Sequence, residues 1–96
     1  MLPEYKLELV CPAGSLPALK VAVDNGAACV YLGFRDDTNA RNFTGLNFDA
    51  ANARTGVAYA HAKGAKVFLA LNTYPQANGW ERWKKAIDQA ADYGMD

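Results

Sequence analysis

Residues 25–33 read Asn25-Gly26-Ala27-Ala28-Cys29-Val30-Tyr31-Leu32-Gly33: a helix stop, an apolar run and a second glycine. Asn-Gly ends a preceding helix, because glycine takes the left-handed C′ conformation at no steric cost. The run Ala28–Leu32 is apolar without alternation. That suits a parallel strand covered on both faces, although a short buried helix gives the same pattern. The β-branched Val30, the aromatic Tyr31 and the flanking glycines favour a strand. The same order of helix, Gly-Ala and strand returns at Lys63-Gly64-Ala65 and begins again at Tyr93-Gly94-Met95.

Upstream, Ser15 is a good N-cap with Pro17 in the first turn, which predicts a helix over Leu16–Asn25. Leu16, Leu19, Ala22 and Val23 fall on one face. Before it, Lys6–Val10 is expected as a first strand that ends by Pro12, whose ring nitrogen has no proton for a sheet ladder. Downstream, Asp49 can cap a helix over Ala50–Lys63 with Ala53, Val57 and Ala60 inward. Val67–Leu71 is a third unbroken apolar run. A last helix runs from Gly79 to about Tyr93, with Trp80, Trp83, Ile87, Ala90 and Ala91 as its expected inner stripe and Lys84, Lys85, Asp88, Gln89 and Asp92 outward.

Three βα units in series predict an α/β fold with a parallel sheet and right-handed crossovers, the N-terminal part of a TIM-like (β/α) barrel. A fourth strand is due near Met95-Asp96, so the chain is expected to be one domain piece, residues 1–96, of a longer protein. Three strands leave an open edge, and self-association through that edge is a further expectation.

Ten basic and ten acidic residues cancel, so bulk charge does not mark a nucleic-acid binder, and none is expected. The apolar fraction of 51% is enough to build a core. Cys11 and Cys29 form neither a disulfide framework nor a CxxC metal motif, and a reducing, cytoplasmic setting is expected. Charges interrupt the apolar residues of the first ten positions, unlike a secretory signal, and no run approaches membrane-spanning length.

In a parallel α/β sheet, ligands gather at the carboxyl ends of the strands. Three segments meet there: Cys11–Ser15, Gly33–Asn47 and Asn72–Asn78. Gly33–Asn47 is long for a connection, and it carries Arg35, Asp36, Asp37, Thr38, Asn39, Arg41 and Asn42. It is either a binding loop or a solvated loop ordered by its own Asp–Arg pairs. Arg35 and Arg41 suit a carboxylate or phosphate through paired donors. Gly14 allows close backbone approach beside a helix N-terminus, though a single glycine also suits a plain turn. Asn42 and Asn72 are orienting candidates. His61 and the Trp80/Trp83 pair read as packing or surface residues, and Cys11 as a small buried thiol.

The residues Glu8-Leu9-Val10-Cys11-Pro12-Ala13-Gly14-Ser15, Asn25-Gly26-Ala27 and Val30-Tyr31-Leu32-Gly33 resemble the start of peptidase family U32, the collagenase-like peptidases. The loop from Asp36 to Phe43, with Gly45-Leu46-Asn47-Phe48, is similar to the UbiU-like branch. Asn72-Thr73, Trp80-Glu81-Arg82-Trp83 and Ala90-Ala91-Asp92 fit that branch too. The resemblance implies a barrel domain and a role in oxygen-independent hydroxylation in ubiquinone biosynthesis. It further implies a UbiV-like partner subunit and a [4Fe–4S] cluster held by four cysteines. Other family members act in hydroxylation of RNA bases, and some are described as proteases. Neither Cys11 nor Cys29 matches a cluster cysteine, so no cofactor is expected in this segment. Ala28 stands where the family usually has an acidic residue, and Ala50-Ala51-Asn52 replaces a more charged stretch. The substrate-binding expectation rests on Gly14, Arg35, Arg41, Asn42 and Asn72, with no catalytic residue assigned.

Overall fold

The computed structural model describes residues 7–34, 48–71 and 79–96. The elements follow in the order β1 (Val10–Pro12), α1 (Leu16–Asp24), β2 (Cys29–Leu32), α2 (Ala50–Ala62), β3 (Lys66–Leu69) and α3 (Trp80–Asp92). The sheet is parallel in the order β1-β2-β3. Its register pairs Cys11 with Val30 and Val30 with Val67, one residue per rung.

Local chemistry explains the helix starts and stops. The Ser15 side chain accepts from Ala18 N–H at 3.3 Å, and the Asp49 carboxylate accepts from Asn52 N–H at 2.9 Å. Each satisfies one of the orphan donors of a first turn. Gly26, Gly64 and Gly94 all have positive φ, +96°, +78° and +81°, and each ends a helix before the chain turns back to the sheet.

The core lies between the sheet and the first two helices. Leu19 on α1, Val30 on β2, Ala53 and Ala60 on α2 and Val67 on β3 are fully buried. Burying a side chain of the Val or Leu class stabilises the fold by about 1.5–3 kcal/mol each. The two helices come close at Gly56, where a β-carbon would meet Leu19 Cδ1 at 3.0 Å. Phe48, just before the Asp49 cap, lays its ring against the same spot.

Three expectations change. The first strand is Val10–Pro12 rather than Lys6–Val10. Ala13 N–H donates to Tyr31 O, and Leu9 O accepts from Ala28 N–H. Odd-numbered residues of this strand therefore face β2, and the nitrogen of Pro12 faces the free edge, where no N–H is required. Secondly, the sheet is covered on one face only among the described residues. Val30 and Leu32 are buried, whereas Tyr31 and Phe68 are 42% and 41% exposed. Thirdly, α3 is rotated from its expected phase. Ala86 is buried and Gln89 and Tyr93 are half-buried, as are Trp83 and Ala90 of the expected stripe, while Trp80 and Ile87 are about half exposed and Ala91 is exposed. The edge-on contact of the Tyr93 ring with Phe34, 6.1 Å between centroids, explains that phase.

Strand order 1-2-3 with both crossover helices on one face is common to the start of a (β/α) barrel and to half of a doubly wound sheet.

Candidate functional site

The carboxyl ends of the three strands make one edge. At β1, the chain passes from Pro12 through buried Ala13 to half-buried Gly14, and Ser15 opens α1. At β2, Phe34 pairs in a parallel bridge with Phe48, and Phe48 N–H donates to Gly33 O at 3.0 Å. The described chain on either side of residues 35–47 is thus joined through two buried phenylalanines. At β3, Ala70 N–H donates to Leu32 O at 2.8 Å, so the chain is still held to the sheet just before Asn72.

Gly14 is the only expected site residue among the described ones, and it stands at this edge. Arg35, Arg41, Asn42 and Asn72 lie outside the described residues. Arg35 directly follows the anchored Phe34, and Asn72 follows half-buried Leu71.

The sheet's second face supplies a feature that hydropathy patterning did not single out. Pro12 pairs with Tyr31, and Tyr31 pairs with Phe68, so the three occupy one rung near the carboxyl ends of the strands. Val10, Cys29 and Lys66 make the rung beneath it.

Away from this edge, several polar side chains are paired across elements. His61, in the last turn of α2, contacts Asp96 at 2.8 Å. The same carboxylate oxygen accepts from Val67 N–H at 2.9 Å. These contacts, Val67 first and His61 second, hold the Asp96 carboxyl below its ordinary pKa. The Tyr59 hydroxyl donates to Asp24, which lowers the Asp24 pKa and raises that of Tyr59. Lys20 and Lys63 sit over the Tyr59 ring, at 5.3 and 5.6 Å from its centroid. Arg54 bonds Asp92 at 2.7 Å and lies 4.6 Å from the Tyr93 ring centroid. Apart from Lys63 over Tyr59, four residues away at the cap of the same helix, these pairs join residues 29 to 39 positions apart, so sequence spacing carries no sign of them.

An iron–sulfur centre finds no fit in the thiols of this chain. Cys11 shares the helix-covered face with Val30, while Cys29 shares a rung with Val10 and Lys66 on the other face. The two thiols do not converge, and a four-thiolate centre needs four. Among the described residues no three His, Cys, Asp or Glu side chains gather into a metal-holding group. No helix among them is long and apolar enough to cross a membrane.

A family model described as peptidase family U32 matches residues 14–96. A tRNA hydroxylation protein P of Helicobacter pylori is 34% identical over 95% of this chain and 21% of its own length. The tRNA hydroxylation protein P1 of Bacillus subtilis is 35% identical over 94% of this chain and 22% of its own. An uncharacterized protease of Methanocaldococcus jannaschii is 34% identical over 94% of this chain and 22% of its own. The chain therefore spans about a fifth of the length of these curated relatives. No solved structure matches it.

Proposed function

The chain belongs to peptidase family U32, and from that premise we propose that it is the N-terminal part of a TIM-like barrel protein acting in hydroxylation. The observation that carries this reading is its similarity, over nearly its full length, to proteins named for tRNA hydroxylation. The parallel sheet, covered by helices on one face among the described residues, is compatible with the barrel, which puts its helices on the outside and keeps the other strand face for its interior.

The substrate is a planar ring. The relatives' names point to tRNA, and the loop resemblance points to a ubiquinone precursor. Gly14, Arg35, Arg41, Asn42 and Asn72 are the proposed contacts at the carboxyl edge. Gly14 gives close backbone approach, the arginines hold anionic groups such as phosphate or carboxylate, and the asparagines orient the ring. The [4Fe–4S] cluster belongs in this proposal to cysteines of the full-length parent, and a UbiV-like subunit to its assembly.

The test is the iron and acid-labile sulfide content of the full-length parent, purified without oxygen, followed by mass spectrometry of tRNA and of a quinone precursor after turnover. About four irons per chain and the gain of one oxygen on either substrate are the expected results. Absence of iron would remove the cluster from the proposal, and absence of added oxygen would remove hydroxylation.

The name of the archaeal relative favours a second reading, peptide hydrolysis. Among the described residues His61 is engaged with Asp96 at the amino-terminal side of the sheet, away from Cys11 and Ser15 at the carboxyl edge. That arrangement offers no nucleophile–base pair. Cleavage of a collagen-like peptide by the iron-free parent would restore this reading.

A further inference from the structure

We infer that Tyr93 is a positioning residue for the proposed substrate contacts: from the end of α3 its ring supports Phe34, and through Phe34 the junction with Phe48 that flanks residues 35–47. This rests on the hydroxylation reading, in which Arg35 and Arg41 hold anionic groups of the substrate. The junction is an isolated parallel bridge outside the three strands, and Phe48 N–H donates to Gly33 O at 3.0 Å. An isolated bridge lacks the neighbouring rungs of a ladder, so side-chain packing has to hold its register.

The two phenylalanines are held from different helices. The Phe48 ring lies where α1 and α2 meet, 3.6 Å from the place of a β-carbon on Gly56. Phe34, two residues beyond buried Leu32, meets the Tyr93 ring edge-on, with 6.1 Å between centroids and 76° between planes. That is a preferred geometry for an aromatic pair.

Tyr93 is itself fixed on several sides. Its N–H donates to Gln89 O at 2.9 Å, which holds it to the last turn of α3. Three residues on, Asp96 is bonded to both backbone groups of Val67 in β3. The Arg54 guanidinium of α2 lies 4.6 Å from the ring centroid and is tied to Asp92 at 2.7 Å. The Arg54–Asp92 pair is more than half exposed and contributes little stability by itself. Its part is to keep the guanidinium over the ring.

The test uses the full-length protein with Tyr93→Leu, Tyr93→Phe, Arg54→Gln and a core control, Val23→Ala, on α1. Two quantities are read: amide exchange at Phe48 N–H, and KM against kcat for whichever of tRNA or a quinone precursor gains oxygen. Tyr93→Leu should speed exchange at Phe48 and raise KM about fivefold at unchanged kcat, the ratio that corresponds to one aromatic pair. Tyr93→Phe should match the wild type in both. Arg54→Gln, which frees the outer side of the same ring, should move both in the same direction by about twofold, and it decides the matter if Tyr93→Leu does not fold. Val23→Ala should lower the unfolding midpoint and leave KM unchanged. Wild-type exchange at Phe48 in the Tyr93 and Arg54 variants overturns the inference and leaves the hydroxylation reading standing, as does faster exchange with unchanged KM. A KM raised equally by Val23→Ala also overturns it, because general destabilisation then accounts for the change. If the wild type adds no oxygen to either substrate, the hydroxylation reading falls and the positioning role falls with it.

Discussion

Asp96 occupies both backbone groups of Val67 that face the free edge of β3: its N–H donates to Val67 O at 2.8 Å, and its carboxylate accepts from Val67 N–H at 2.9 Å. His61 steadies the same carboxylate oxygen. Lys66 and Ala70 donate toward β2, so Val67 points outward, and Asp96 begins to pair where a further parallel strand would lie. This pairing and Pro12 at the β1 edge reduce the open backbone available to a second copy.

The pH dependence of this contact has a definite sign. The Asp96 carboxyl is held below its ordinary value of 3.8, first by the Val67 N–H and then by His61. A carboxylate with a lowered folded-state pKa contributes stability above its unfolded value, and that contribution is lost as pH falls through the lowered folded value. Asp96→Ala should lower the thermal midpoint by about 3 °C at neutral pH, a modest figure for a partly exposed contact. The difference from wild type should close in acid, below the ordinary carboxylate range. A difference that persists unchanged in strong acid would show that the charge is not involved.

Ala28, just before β2, stands as Asp96 does two residues beyond a positive-φ glycine, and its N–H donates to Leu9 O at 2.9 Å. An aspartate there should place its carboxylate on Leu9 N–H, as Asp96 does on Val67. Ala28→Asp is expected to stabilise the protein by about 1 kcal/mol, read as a raised urea midpoint at unchanged slope. An unchanged midpoint would show that the two positions are not equivalent.

Leu19 and Gly56 face each other between α1 and α2, where a β-carbon on Gly56 would meet Leu19 Cδ1 at 3.0 Å. Leu19→Ala should cost about 2–5 kcal/mol, because Leu19 is fully buried and its neighbours can collapse only in part. Gly56→Val should cost about 1–3 kcal/mol by forcing Leu19 and Phe48 apart. Combining Gly56→Val with Leu19→Ala should cost less than the sum of the two, since the added methyl groups enter the space left by the leucine. Simple additivity in a chemical-denaturation cycle would place the two residues out of contact.

The two arginines proposed to hold anionic groups make a prediction on activity. In the full-length parent, Arg35→Ala and Arg41→Ala should each raise KM about tenfold or more, the loss of one charge-assisted hydrogen bond. The unfolding midpoint should be nearly unchanged. Variants with wild-type kinetics would favour Asp–Arg pairing within the loop, the other reading of the same residues.

Local chemistry alone determined much of this chain. Ser15 and Asp49 open helices because a short oxygen-bearing side chain can reach a free N–H three residues on, and Gly26, Gly64 and Gly94 close them because only glycine takes that φ without strain. Those signals span four or five residues, so they are legible in order along the chain, and with them the three βα units and the carboxyl edge that carries Gly14. Tertiary structure decided the rest, because it depends on partners remote in sequence. The register put Pro12, Tyr31 and Phe68 on one rung, and an unalternating apolar run gives no sign of which of its faces the helices will cover. The phase of α3 followed from Tyr93 meeting Phe34, which turned Trp80 and Ile87 outward against their hydrophobicity. The Asp96–Val67–His61 contact joins three elements and exists only once β3 has been laid beside β2.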